Sequence, residues 1–85
     1  MKTDRRITDS FYTHKGYNIR LRAATRNGFY YRIGKASADG TKEIVLCEKG
    51  FDFIDAKLLL QKAKDRIDKN SKRLEEKYTK LTLNQ

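Results

Sequence analysis

Two side chains of this sequence have the chemistry of a nucleophile and its base: Cys47 and His14, the single cysteine and the single histidine of the chain. A thiolate mechanism needs the imidazole at hydrogen-bond distance and a third group to orient it. No such third group stands near either residue in the sequence, so the plainer reading is a small apolar strand residue and a surface histidine. The carboxylates give no catalytic pair. Asp52 and Asp55 stand where a helix begins and its first amides are unsatisfied, and Asp65 and Asp68 lie at helical pairing distances from Lys62, Lys64, Lys69 and Lys72. No set of three or four ligands has metal spacing. Gly28, Gly34, Gly40 and Gly50 are dispersed rather than gathered into a phosphate loop. The expectation is a protein that is not an enzyme and uses neither metal nor cofactor.

A different chemistry is carried by Arg20, Arg22, Tyr30 and Arg32, within the stretch YNIRLRAATRNGFYYRIGKASADGT. Guanidinium groups fork onto phosphates and base edges, and an exposed aromatic ring stacks on any base. These four residues are brought together only if the chain positions them on one surface. Tyr17, Ile19, Leu21 and Ala23 alternate with Asn18, Arg20, Arg22 and Ala24, the period of a half-buried strand. Arg26-Asn27-Gly28 predicts a tight hairpin. A second strand then runs from Phe29 to about Ser37, with Phe29, Tyr31 and Ile33 inward and Tyr30, Arg32 and Gly34 outward. Ala38-Asp39-Gly40 predicts the next turn, and Thr41 to Glu48 the third strand, with Ile44 and Leu46 on one face and Val45 and Cys47 on the other.

Lys49-Gly50 reads as a break, and Asp52 as the cap of an amphipathic helix whose stripe is Phe53, Ala56, Leu60, Ala63 and Ile67, widened by Leu59. The spacing continues through Leu74 and Leu81. Asn70 and Ser71, two weak helix formers, mark a possible break. The expected fold is therefore α+β: a three-stranded antiparallel meander backed on one face by a C-terminal helix, β-β-β-α. Residues 15–70 form the domain, residues 1–14 a flexible or partly ordered basic arm, and residues 71–85 a helical extension or frayed tail. Ile7, Phe11 and Tyr12 read as a helical turn docking on the body.

One helix covers one face of such a sheet, so the alternation leaves Arg20, Arg22, Tyr30 and Arg32 on the open one, in cross-strand reach of each other. Charge agrees with this polarity. The chain of 85 residues has 20 Lys and Arg against 11 Asp and Glu, a formal net charge of +9. Most of the excess, including Arg5, Arg6, Arg20, Arg22, Arg26 and Arg32, falls before residue 36. An excess of this size favours polyanions. Lys15, Arg26 and Lys35 are expected to assist at the sheet, and the arm around Lys2, Arg5 and Arg6 to add phosphate contacts or enter a minor groove. A single cysteine excludes an internal disulfide and makes a reducing cytoplasm the expected compartment. No apolar run is long enough to span a bilayer.

From residue 17 to 69, the order of strand, Asn27-Gly28 turn, strand, Asp39-Gly40 turn, strand and then GFDFIDAKLLLQKAKDRIDK resembles a known layout. It is that of the sheet-plus-helix DNA-binding domains of plant ethylene-response factors and of the arm-binding segment of tyrosine integrases. The likeness rests on this order, on the Phe51-Asp52 entry to the helix, and on Arg20, Arg22 and Arg32 in the sheet. It implies a sheet lying in the major groove with the helix behind it. The tryptophan often found on the plant sheet is absent, Tyr30 standing nearest. The Gly16-Tyr17 strand start, the Asp39-Gly40 turn and the alanine-bearing helix are also similar to small bacterial β-β-β-α proteins.

The function expected from these readings is a nucleic-acid-binding module, DNA in preference to RNA, of the kind that serves as an accessory protein of a phage or mobile element. The alternative is a small protein-interaction module or phage-type inhibitor that docks its basic surface on an acidic or nucleic-acid-binding protein. Either is expected as a monomer or a weak homodimer through the C-terminal helix.

Overall fold

A computed structural model describes residues 10–23, 28–52 and 54–83. The order is β1 (Ser10–His14), β2 (Tyr17–Ala23), β3 (Gly28–Ala36), β4 (Glu43–Asp52) and α1 (Ala56–Leu83). The strands form one antiparallel sheet in the order β1-β2-β3-β4, with α1 against one face. The α+β class stands as read, but the sheet has four strands, not three. The additional strand is β1, in the segment expected to be an arm with a helical turn at Phe11 and Tyr12. Its burial lacks alternation, because an edge strand packs little on either face: Phe11, Tyr12 and Thr13 are all exposed.

A two-residue turn joins β1 to β2. Lys15 and Gly16 have φ of 51° and 85°, the left-handed pair of a type I′ hairpin, whose twist matches that of the strands it connects. The Arg26-Asn27-Gly28 turn lies outside the described residues except Gly28, which begins β3. Between β3 and β4, Gly40 (φ 74°) and Asp39 build a six-residue loop. Asp39 Oδ1 accepts from the Ser37 hydroxyl (2.7 Å), the Thr41 hydroxyl (2.8 Å) and the Thr41 amide (3.1 Å). These bonds hold its carboxyl down at about 2.

β4 departs from the expected strand in two ways. It continues through Lys49 and Gly50 to Asp52, so Gly50 is a strand residue, opposite Tyr30. It also bulges: Ile33 pairs with Cys47 and Gly34 with Val45, which leaves Leu46 as the extra residue. A bulge resets the alternation. Ile44 and Leu46 both point into the core, as the pattern predicts, but Cys47 packs against the core too while Val45 is exposed on the other face.

Asp52 is consequently in a strand, and the cap falls to Asp55. Its carboxylate accepts the Leu58 amide at 2.8 Å and its carbonyl accepts the Leu59 amide at 3.0 Å. The buried stripe is Leu59, Ala63, Ile67 and Leu74, so that it centres on Leu59 rather than Leu60: Ala56 is exposed and Leu60 half-buried. Phe53 lies outside the described residues. Asn70 has non-helical φ and ψ (−124°, 24°), so the helix kinks there without ending. Beyond the kink Leu74 stays buried and the Tyr78 hydroxyl donates to the Ala36 carbonyl at 2.6 Å. The core joins these helix residues to Tyr17, Ile19 and Leu21 of β2, Tyr31 and Ile33 of β3, and Ile44 and Leu46 of β4.

Candidate nucleic-acid interface

The face of the sheet away from α1 is organised in rows set by register. One row runs across all four strands as Phe11, Arg20, Arg32 and Glu48. Its neighbour is Arg22, Tyr30 and Gly50. On the other side lies Thr13, Asn18, Gly34 and Val45. Two guanidinium groups directly opposite each other repel, and each row end relieves this. Arg20 stacks on Phe11, 4.7 Å from the ring centroid. Arg32 donates its Nε–H to Glu48 at 2.6 Å, which pushes the Arg32 pKa up, and also lies 5.8 Å from the Tyr30 ring.

Arg20 differs from Arg32 in what meets its charge. Among the described residues no carboxylate pairs with Arg20, and its Nε is covered without a hydrogen-bond acceptor. The ring of Phe11 is its neighbour instead, and that ring is 65% exposed. The result is an uncovered plate of two aromatic rings and three guanidinium groups. Glu48 partly neutralises it, and so does Glu43, whose side chain lies across Gly34 within 2.9 Å of where a Cβ would sit.

Sequence alternation thus brings Arg20, Arg22, Tyr30 and Arg32 onto one open face as expected. Two of the expected assistants are elsewhere. Lys35 is on the helix side of β3: its ammonium group is 3.0 Å from Glu75 and 5.3 Å and 4.9 Å from the Tyr17 and Tyr78 rings. The alternation that turns Tyr31 and Ile33 inward turns Lys35 inward with them. Lys15, in the β1–β2 turn, pairs with Asp68 of α1 at 2.9 Å. Arg5, Arg6 and Arg26 lie outside the described residues. Phe11, Glu43 and Glu48 were not anticipated on this face. Phe11 was legible only as an aromatic residue beside a predicted strand, and the placement of Glu48 depends on the bulge.

The groups considered for catalysis are held apart. His14 and Cys47 are on the outermost strands, β1 and β4, three strand spacings or at least about 14 Å apart. His14 Nε2 is 2.9 Å from Asp68 Oδ1, and Cys47 is half-buried against the core. Among the described residues no cluster of His, Cys, Asp and Glu is placed to hold a metal ion, and no helix is long and apolar enough to cross a membrane. Comparison with known proteins finds no matching family model, curated protein or solved structure.

Proposed function

We propose that this chain is a non-enzymatic nucleic-acid-binding module that lays the open face of its sheet on DNA. The observation that carries the reading is the row Phe11, Arg20, Arg32, Glu48 beside Arg22 and Tyr30, on the side that α1 leaves bare. Bases of a single strand stack on Phe11 and Tyr30, while Arg20, Arg22 and Arg32 meet the phosphates. The exposure of Phe11 favours a single strand over a duplex, since paired bases offer no free face to it. The test is an anisotropy titration of labelled single- and double-stranded oligonucleotides at several salt concentrations. Affinity should fall steeply with salt, and Arg20→Ala with Arg22→Ala should abolish most of it while the fold survives. A double variant that binds as the parent does removes the sheet from the interface.

A second reading, a protein-interaction module, draws support from β1. It is an edge strand with Phe11 and Tyr12 exposed, and such an edge accepts a partner strand by main-chain pairing. Glu43 and Glu48 on the same face also suit a protein surface of mixed charge better than a bare polyanion. Capture from lysate with and without nuclease separates the two: a partner retained after nuclease treatment favours protein.

A further inference from the structure

On the opposite side of the sheet, where the edge strand β4 meets α1, four cationic side chains surround one hollow: Lys49 from β4 and Lys62, Arg66 and Lys69 from α1. Tyr31 and Phe51 form its floor. The helix supplies its three at i, i+4 and i+7, one flank beside the buried stripe. Like charges at i, i+4 oppose each other, and carboxylates at helical spacing are expected to offset them. They do not. Asp68 is turned to His14 and Lys15, and Asp65 accepts the side-chain amide of Gln61 at 3.0 Å. Among the described residues none of the four cations is within ion-pair distance of a carboxylate.

The two lysines nearest the floor converge on a single ring: the ammonium groups of Lys49 and Lys62 are 5.8 Å and 5.2 Å from the Phe51 centroid. Phe51 is itself held by the Tyr31 ring, 6.0 Å away. A ring quadrupole attracts one ammonium group well, but two that share it stay unneutralised. Asn70 completes the lining, its backbone kinked, and one carboxylate, Asp65, stands against four cations.

The geometry points to an oxyanion site in this hollow that takes a phosphate or diphosphate group. A carboxylate, with one charge, would leave most of the excess in place, whereas a group of two or three negative charges matches it and offers enough oxygens for ammonium and guanidinium donors together. The site is separate from the open sheet face, with the sheet between them, and does not depend on what that face binds.

Sodium pyrophosphate titrated into the full-length protein at constant ionic strength, with chloride as the control, tests it by amide NMR. Saturable shifts should centre on Lys49, Lys62, Arg66 and Lys69. Lys62→Gln with Lys69→Gln should weaken the apparent affinity about tenfold or more, the loss of roughly one strong charged contact, and Lys62→Arg with Lys69→Arg should restore it. Arg20→Ala with Arg22→Ala should change nothing here. Shifts no larger than those in chloride, or a glutamine variant that titrates like the parent, overturn the assignment. A single-stranded oligonucleotide added to the saturated protein identifies the source. Displacement of pyrophosphate from these amides means a backbone phosphate is the ligand, and retention means a small phosphorylated compound.

Discussion

Arg20 lays its guanidinium on the ring of Phe11, its register partner, 4.7 Å from the centroid on the uncovered face of the sheet. The pair is a cation and an aromatic surface presented together, and the ring contributes little to the core because it is 65% exposed. Phe11→Ala should therefore weaken binding of a single-stranded oligonucleotide by about 1–3 kcal/mol, the loss of one stacked base. The urea midpoint should shift by no more than a surface substitution does, about 0.5 kcal/mol. Unchanged affinity in a folded variant would remove Phe11 from the interface.

Lys35, a basic residue of β3, has the opposite fate. Its ammonium group lies over the Tyr17 and Tyr78 rings and pairs with Glu75, so it fastens α1 to β3. Lys35→Ala is expected to cost roughly 1 kcal/mol of stability through the lost ring contacts and to leave oligonucleotide affinity as it was. A loss of affinity larger than that of Arg22→Ala, at unchanged stability, contradicts the assignment of Lys35 to the helix side.

The helix start offers a paired comparison. Asp55 accepts the Leu58 amide, whereas Asp52 is the last residue of β4. Asp55→Ala should lower the free energy of unfolding by about 1 kcal/mol, the usual worth of a lost cap, and Asp52→Ala should leave it nearly unchanged. Circular dichroism in urea on both variants decides the matter, and a larger effect at Asp52 would move the cap three residues back.

Among the described residues, three carboxylates are more acidic than an ordinary side chain. Asp39 is lowered to about 2, first by the Ser37 hydroxyl and then by Thr41. Asp68 is lowered by Lys15 and His14, and Glu75 by the Tyr17 hydroxyl and then Lys35. A depressed folded value means that the native state favours the charged form. The stability it brings is complete above the unfolded value, about 4, and is lost as pH falls through the folded one. Thermal stability should be flat from about pH 7 to about 5 and decline from about 4 toward 2. Asp39→Asn, which keeps an acceptor oxygen but cannot titrate, should show a shallower decline across that window. Superposable acid curves for parent and variant would mean the turn carries none of the effect.

Much of this was readable before any coordinates. The period of two in residues 17–23 and 29–33 dictates which side chains enter the core, because a strand packed on a helix has only two faces. Ile19, Leu21, Tyr31 and Ile33 are accordingly buried, and Arg20, Arg22, Tyr30 and Arg32 stand on the reverse. β1 gives no such signal because hydrophobic alternation reports burial, and Ser10–His14 is an edge strand held by backbone pairing rather than by packing. The sequence leaves the helix start ambiguous, because Asp52 and Asp55 are equally good caps. Only the extension of β4 beyond Gly50, a property of its pairing with β3, chooses between them. The hollow on the helix side has a related origin: pairing by spacing assigns Asp68 to a lysine of its own helix, whereas His14 and Lys15, at the turn between β1 and β2, claim it instead.

Leu46 is one residue more than β3 has partners for, and its presence sorts the charges that follow. Uninterrupted alternation from Ile44 would send Glu48 beneath the helix, among the lysines, and Lys49 out beside Arg32. The surplus residue exchanges them, so that the acid ends up tethering an arginine and the base joins its own kind. Shortening the strand by that one position would straighten it yet leave the acid beside its arginine; only a straight strand that kept the leucine would swap the charges between the two sides.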